Sequence, residues 1–578
     1  MRKSIPPHLP MPPTPQTETE LSLRAILTGA LLGALLTPCN VYSGLKIGWS
    51  FNMSILALLV GFGFWRAAAH LGGLAPWQRK ESNISQTTAS AAASIISGGL
   101  VAPIPAHALL TGESLPTGQM IAWVFSVSFL GVWVGWYLRP LLIERSALRF
   151  PAGAATLEAL RDIFEQGREA MHRLATLTLA TIGAAGIKTL DVVFGLPRWA
   201  PGPGFAQYTF TLEPSMLLLG FGAIIGLRVG LSLLLGAVLA FGLAGPTLVA
   251  SGSVLLPANA DSAFGLLVEW LIWPGVTLMV CASLANLAAQ LRQALVRRGT
   301  VRGGLPADWR RPGPALGLLA ATALTVWLQS ALFAIPLGIA LLAVPFAWIL
   351  AGVAARVVGD TGIPPIGAIG KVSQLGFGVA APGQAITNLM TANVAGGAAG
   401  QCADLLNDFR AGHGIGASPG RQAVAQVVGI AVGSVAGVLS YQALIPDAAL
   451  LLTPEWPAPA VATWKAVAET MAEGFAAVPA DARVAMMLTA PIGIALGLAE
   501  ALARPAIQRW LPSGVAVGLA FVIPASISIV MCAGALLASL AARLRPDAAR
   551  RHTVTVAAGL VAGESIAGVV AALAAMTR

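Results

Sequence analysis

The sequence predicts an all-α polytopic membrane protein with about sixteen transmembrane helices, some of them broken or re-entrant, arranged as two pseudo-repeated halves. Three observations carry the class. Of 578 residues, 56% are apolar and only 10% are charged, whereas a soluble domain carries about 25% charged residues. Mean hydropathy is +0.76. The apolar residues also run in stretches of roughly 20, the length that crosses a bilayer, rather than alternating as barrel strands do. A soluble enzyme, a disordered chain and an outer-membrane barrel are thereby excluded.

Taken in order, residues 1–20 contain six prolines and are expected as a disordered tail, too polar for a signal peptide. Hydrophobic stretches then fall near 22–39, 41–64, 84–104, 119–138, 174–196, 214–227, 229–250, 264–288, 314–333 and 335–355. Further ones lie near 364–380, 384–403, 422–445, 484–503, 513–542 and 553–576. Those at 364–380, opening on Pro364-Pro365, and at 512–524, bounded by Pro512 and Pro524, read as half-helices lining a cavity. No loop is long enough to bury a core of its own, so function is expected inside the membrane part.

The net charge of +10 is mostly Arg in short loops, which is the positive-inside pattern and not a nucleic-acid surface. Loops 65–82, 139–173 and 292–311 are basic, while 105–118 and 251–263 carry no Lys or Arg. This alternation predicts a cytoplasmic N-terminus. Arg504 and Arg509 share a side with Arg543, Arg545, Arg550 and Arg551 only if 511–542 enters and returns as a broken pair. The acidic segment 446–480 reads as an external loop. The four cysteines have neither disulfide nor metal-ligand spacing and read as small buried residues.

Two halves, 21–300 and 301–578, are suggested by a recurring order of Gly/Lys, Asn/small-polar and Pro/Gly motifs. Gly44-Leu-Lys46, Asn83-Ile-Ser-Gln86 and Phe150-Pro-Ala-Gly153 are echoed by Gly367-Ala-Ile-Gly370-Lys371, Asn388-Leu-Met-Thr and Leu511-Pro-Ser-Gly514. Repeated halves with interrupted helices are a trace of secondary transporters.

Several polar residues stand out against the apolar background. Tyr42, Lys46, Trp49 and Met53 are spaced for one helical face, where an ammonium beside aromatic rings can bind a carboxylate. Asn83, Gln86, Ser90, Ser94 and Ser97 make a polar stripe that suits either close helix packing or a pathway lining. Asn393, Gly397, Gln401 and Asp404 repeat it and end on a titratable acid. Lys188 and Asp191, three apart, are expected to neutralise each other. Glu113, Glu158, Glu500 and Glu564 lie near span ends, where a solvated carboxylate needs no special purpose. Asp360-Thr361-Gly362 matches an aspartic-protease triplet, but no second triplet supplies the partner carboxylate. No zinc helix and no phosphate loop is present.

Longer motifs follow one another from residue 40 to 568. They are Asn40-Val-Tyr42-Ser-Gly44-Leu-Lys46-Ile-Gly48, Asn83-Ile-Ser-Gln86-Thr-Thr-Ala-Ser90 and Phe150-Pro-Ala-Gly153-Ala-Ala-Thr-Leu-Glu158. Gly359-Asp360-Thr-Gly362, the run from Asn388 through Asn393 and Gln401 to Asp404 and Asp408, Leu511-Pro-Ser-Gly514 and Ala562-Gly-Glu564-Ser565 complete the set. Together they resemble the oligopeptide transporter family, which includes yellow-stripe-like metal–chelate carriers and many prokaryotic members. The family often has Glu where this chain has Asp360.

The resemblance implies about sixteen helices and proton-coupled uptake of small oligopeptides or peptide-like metal chelates, without a resident metal or cofactor. The expected substrate-binding residues are Tyr42, Lys46, Gln86, Asn388, Asn393 and Gln401. Asp404, Asp360 and Glu158 are the expected proton-coupling carboxylates, with Lys371 as a charge partner. An intramembrane hydrolase using Asp360, or a passive channel, is the alternative. The expected location is the inner (plasma) membrane of a bacterium, and a homodimer is compatible with this reading.

Overall fold

A computed structural model describes residues 19–50, 53–146, 148–165, 167–256, 262–296, 312–361, 366–474 and 478–576. Most of the Pro-rich tail, the later part of loop 292–311 with the division between halves, Gly362 and Pro364-Pro365 lie outside these residues.

In chain order the helices begin with α1 (Leu23–Ile47), α2 (Ser54–Gly72), α3 (Arg79–Ala93), α4 (Pro103–Thr111), α5 (Thr117–Arg139), α6 (Pro151–Glu165), α7 (Gly167–Phe194) and α8 (Pro203–Gln207). Next come α9 (Met216–Ile225), α10 (Leu227–Ala237), α11 (Gly245–Ala250), α12 (Phe264–Val296), α13 (Pro312–Phe333), α14 (Leu337–Thr361) and α15 (Ile366–Ala380). The chain continues through α16 (Ala385–Gly414), α17 (Pro419–Leu444), α18 (Pro459–Glu473), α19 (Ala480–Leu502), α20 (Pro505–Gln508), α21 (Gly514–Leu519), α22 (Ala525–Leu544) and α23 (Pro546–Met576). Among the described residues, 13 helical stretches are long and apolar enough to span a membrane. The protein is an all-α, multi-pass membrane protein.

The 30-residue α16 is not among those 13, because its sequence is too polar. It is nonetheless buried along most of its length, enclosed by α3, α5, α6, α14, α15, α17 and α18. Packing joins the two sequence halves throughout: α17 lies on α1 and α3, α23 on α7 and α9, and α19 on α12. Close approach of α17 to α3 requires glycine. A methyl group on Gly433 would sit 2.5 Å from the Ala92 carbonyl oxygen, and one on Gly429 would run into that of Thr88.

Three features differ from, or sharpen, the sequence expectation. Helix α1 ends at Ile47, because Gly48 adopts φ +73° and returns its N–H to the Gly44 carbonyl. The face predicted through Trp49 and Met53 therefore stops at Lys46. The stripe of small polar residues on α3 passes at Ser94 into a 3-10 turn, Ser94–Gly98, and the helix is interrupted at Gly99 (φ +118°) before α4. The segment 446–480, expected as an external loop, folds around α18, whose Trp464 is buried against Gly370. The broken pair expected in 511–542 is present: α21 stops at Leu519 and α22 restarts at Ala525 after Pro524.

One end of α1 is fixed by charge. Arg24 holds Glu81 through Nε at 2.7 Å and through a second, shorter contact, and it lies 5.1 Å from the Trp65 ring. Glu20 accepts from Lys80 at 2.8 Å and from the Ser418 backbone N–H at 3.0 Å, and faces Arg421 at 3.4 Å. The entries to α1, α3 and α17 are thus tied together. Burial pushes the Glu20 carboxyl up, but Lys80, the Ser418 N–H and Arg421 outweigh it and hold the group below its usual range.

A carboxyl lowered on folding stabilises above its unfolded pKa, about 4.3, and that stabilisation fades as pH falls through the lower folded value. Glu20→Gln is expected to reduce the thermal midpoint of the detergent-solubilised protein at neutral pH and to leave the two proteins converging in acid. Gly433→Leu, which overpacks the α3–α17 contact, is expected to destabilise by about 1–3 kcal/mol, read from the same melting curves.

Candidate functional site

The end of α1 opposite Glu20 borders a cavity of about 730 Å³, within the range of about 300–1,000 Å³ usual for small-molecule sites. Its walls come from α1, α7, the start of α9, the chain before α18, α22 and α23. Lys46 extends its ammonium to 5.0 Å from the Trp456 ring and donates to the Glu455 carbonyl. Tyr42 meets the same indole edge-on, 5.3 Å between centroids, and α23 presses on the phenol ring through Gly568. Glu564 on α23 is buried and accepts from the Ser215 hydroxyl at 2.9 Å and the Leu217 N–H at 2.7 Å. It thereby places a carboxylate at the N-terminus of α9, where the helix dipole favours negative charge. Lys188 and Asp191 pair at 3.0 Å on α7, as their spacing predicts. Arg198 and Glu213 also line the space, so the cavity offers both signs of charge beside aromatic surface. That combination suits a zwitterion.

A second set of groups lies between α3, α16 and α17. Gln86 on α3 donates Nε2–H to Asp408 Oδ1 at 3.0 Å and to Thr87 Oγ1 at 3.1 Å. Gln422 on α17 donates to the Asp408 main-chain carbonyl at 2.8 Å. Ser94 reaches Gln401 Oε1 at 3.4 Å, and Asp404 is half-buried near it. Buried atoms of Asn83, Gln426, Gln401 and Gln86 have no hydrogen-bond partner among the described residues. Such groups are costly in a dry interior, which makes this seam a candidate site.

Asn393, about two turns before Gln401, accepts the Trp123 indole N–H at 2.8 Å and approaches the Ser97 carbonyl at 3.5 Å. It thus closes the seam at the α3 break. Asn388 donates to the Gln374 carbonyl, and Gln374 donates in turn to the Trp464 carbonyl at 2.9 Å. Lys371 lies 4.8 Å over the Trp464 ring.

The predicted residues therefore fall in separate places. Tyr42 and Lys46 share the cavity. Gln86, Asn393, Gln401 and Asp404 share the seam. Asn388 and Lys371 sit on the α15–α16–α18 contact. Asp360 is exposed at the end of α14, and Glu158 is exposed on α6. Sequence reasoning passed over Glu564, taken as a solvated span-end group, and Asp408, one turn beyond Asp404. Their signal was present, since Glu564 lies inside an apolar run and Asp408 continues the α16 face.

A family model described as OPT oligopeptide transporter protein matches residues 20–306 and 314–575. The chain is 26% identical to "Probable metal-nicotianamine transporter YSL10" of Oryza sativa subsp. japonica, across 96% of this chain and 90% of that protein. It is 24% identical to "Probable metal-nicotianamine transporter YSL8" of Arabidopsis thaliana, across 96% and 86%. With "Putative oligopeptide transporter YGL114W" of Saccharomyces cerevisiae it shares 23% identity across 71% and 76%. The matches span nearly the whole chain and the polar helices described above, and this protein belongs to the OPT oligopeptide transporter family.

Proposed function

We infer that the protein is a secondary active transporter that takes up small oligopeptides or peptide-like metal chelates, driven by a proton gradient across the inner (plasma) membrane, with its N-terminus in the cytoplasm. The observation that carries this reading is the two-signed cavity at the end of α1. A peptide or an amino-carboxylate chelate presents a carboxylate and an amine a few ångströms apart. Lys46, braced by Trp456, is placed for the carboxylate, and the acid groups around Glu564 are placed for the amine. Relatives bearing oligopeptide and metal-nicotianamine names support the same substrate classes.

In this reading Tyr42 and Lys46 make the outer binding site, and Gln86, Asn393 and Gln401 line the route inward along α16. Asn388 braces the α15–α16 contact, with Lys371 as its charged neighbour. Asp404, half-buried beside Ser94, takes the proton first. Asp360 and Glu158 are exposed and serve as the next carboxylates to test. The orientation follows from α1: its 25 residues span roughly 37 Å at the usual rise, so Glu20 and Lys46 face opposite sides. The basic cluster around Glu20 then lies in the cytoplasm and the cavity opens outward.

Three experiments test this. In sealed proteoliposomes, an inward proton gradient is expected to drive accumulation of intact labelled di- to hexapeptides or ferric chelates. Products appearing without a gradient would indicate a hydrolase, and equilibration without concentration would indicate a channel. Lys46→Met is expected to weaken substrate binding about ten- to hundredfold, the effect of losing one charge-assisted contact. Unchanged affinity would move the site elsewhere. On a cysteine-free background, Pro454→Cys is expected to react with an impermeant reagent from outside, and His70→Cys only after permeabilisation. The reverse pattern overturns the orientation.

A further inference from the structure

Asp408 is 2% exposed and Gln86 is fully buried. Both amide protons of Gln86 are engaged, one by Asp408 Oδ1 and one by Thr87 Oγ1. What remains is a pair of buried acceptors, Asp408 Oδ2 and Gln86 Oε1, neither of which has a donor among the described residues. A carboxylate and an amide in contact are completed by a single proton. With Oδ2 protonated, its O–H can donate to Oε1 while Nε2–H continues to donate to Oδ1, the two-bond pairing of a carboxylic acid with an amide. A proton on Oδ2 serves both acceptors at once.

The charged surroundings point the same way. No ion pair joins Asp408 to a cation among the described residues. On α3 the nearest ionisable side chain along the helix, Glu81, is bound to Arg24. On α17 Arg421 faces Glu20, and on α5 Arg139 pairs with Glu144. Glu158 on α6 is exposed and Arg161 is turned to the Gly414 carbonyl. On α16 itself, Arg410 and His413 follow toward the helix end, and Asp404 lies one turn earlier. A like charge at that spacing disfavours ionising both carboxylates together.

We propose that Asp408 is the proton-carrying group of the transport cycle, that Asp404 relays the proton to it, and that Gln86 reads its state. This rests on the proton-coupled reading above and adds the residue on which that coupling acts. The proton passes from the half-buried Asp404 carboxyl to Asp408 Oδ2, leaving Asp404 ionised. Release from Oδ2 on the opposite side regenerates the carboxylate. In the neutral form Gln86 is held by two bonds, and α3 is locked to α16. Loss of the proton leaves one bond and two unsatisfied acceptors, which loosens α3 against α16.

The test pairs transport with a direct view of the proton. Asp408→Asn keeps shape and donates permanently to Gln86 Oε1, as the protonated acid does. It is expected to bind substrate with no pH dependence and to exchange substrate across the membrane, with gradient-driven accumulation lost. Infrared difference spectra of the purified wild type are expected to show a carboxylic-acid C=O band sensitive to deuterium, absent in Asp408→Asn and moved to higher frequency in Gln86→Leu. Retained accumulation with a wild-type pH profile in Asp408→Asn overturns the proposal, as does a band that survives that substitution. If the wild type itself fails to accumulate substrate, proton coupling falls, while the infrared band still decides separately whether Asp408 holds the proton.

Discussion

A 30-residue helix that is too polar for lipid must be surrounded by protein on every side, and the arrangement of this molecule follows from that constraint. Asn393, Gln401 and Asp408 share one face of α16, and Asn388 lies on the opposite one. The helix is therefore enclosed by elements from both sequence halves. Enclosure at backbone distance demands small residues, which is why α17 meets α3 through Gly429 and Gly433. The apolar helices farther out, such as α7 and α19, do what lipid requires and are mostly exposed to it.

The cavity and the seam are separate, yet they share elements. Helix α1 carries Tyr42 and Lys46 at one end and is fastened to α3 and α17 through Arg24 and Glu20 at the other. Helix α3 carries Gln86, and α17 carries Gln422, so both are bonded to Asp408. Under the proposed function, α1 is the element through which a change in the α3–α16 contact reaches the cavity.

Local pattern made much of this legible, and long-range contact accounts for the rest. The apolar stretches, the α16 face through Asn393, Gln401 and Asp404, the Lys188–Asp191 pair and the break in 511–542 all depend on residues a few positions apart. The aromatic partner of Lys46 does not. Trp456 lies 410 positions away in the chain, and the nearby Trp49 was the natural sequence choice until Gly48 ended the helix. Asp404 and Asp408 illustrate the same limit. Both lie on one helical face, and only the neighbours brought by α3 and α17 distinguish a half-buried acid from a buried one. Likewise α18 reads as loop because its acidic residues are counted, while its buried side, with Val461, Ala462 and Trp464, is defined by helices elsewhere in the chain.

Charge balance within the cavity bears on which molecules fit it. Lys46, Lys188 and Arg198 stand with Asp191, Glu213, Glu455 and Glu564, three cations with four acids. Lys188 and Asp191 satisfy each other, and Glu564 is satisfied by the start of α9, so their fields are largely spent locally. Lys46 is engaged only by a carbonyl and an aromatic face, which leaves its charge without a carboxylate partner among the described residues. A ligand that brings a carboxylate to Lys46 therefore gains more than one that brings only a cation to the acids. Under the proposed function, recognition begins at the carboxylate end of the substrate, the feature that peptides and amino-carboxylate chelates share. The length or metal content of the remainder is then limited by the volume of the cavity rather than by dedicated ligands.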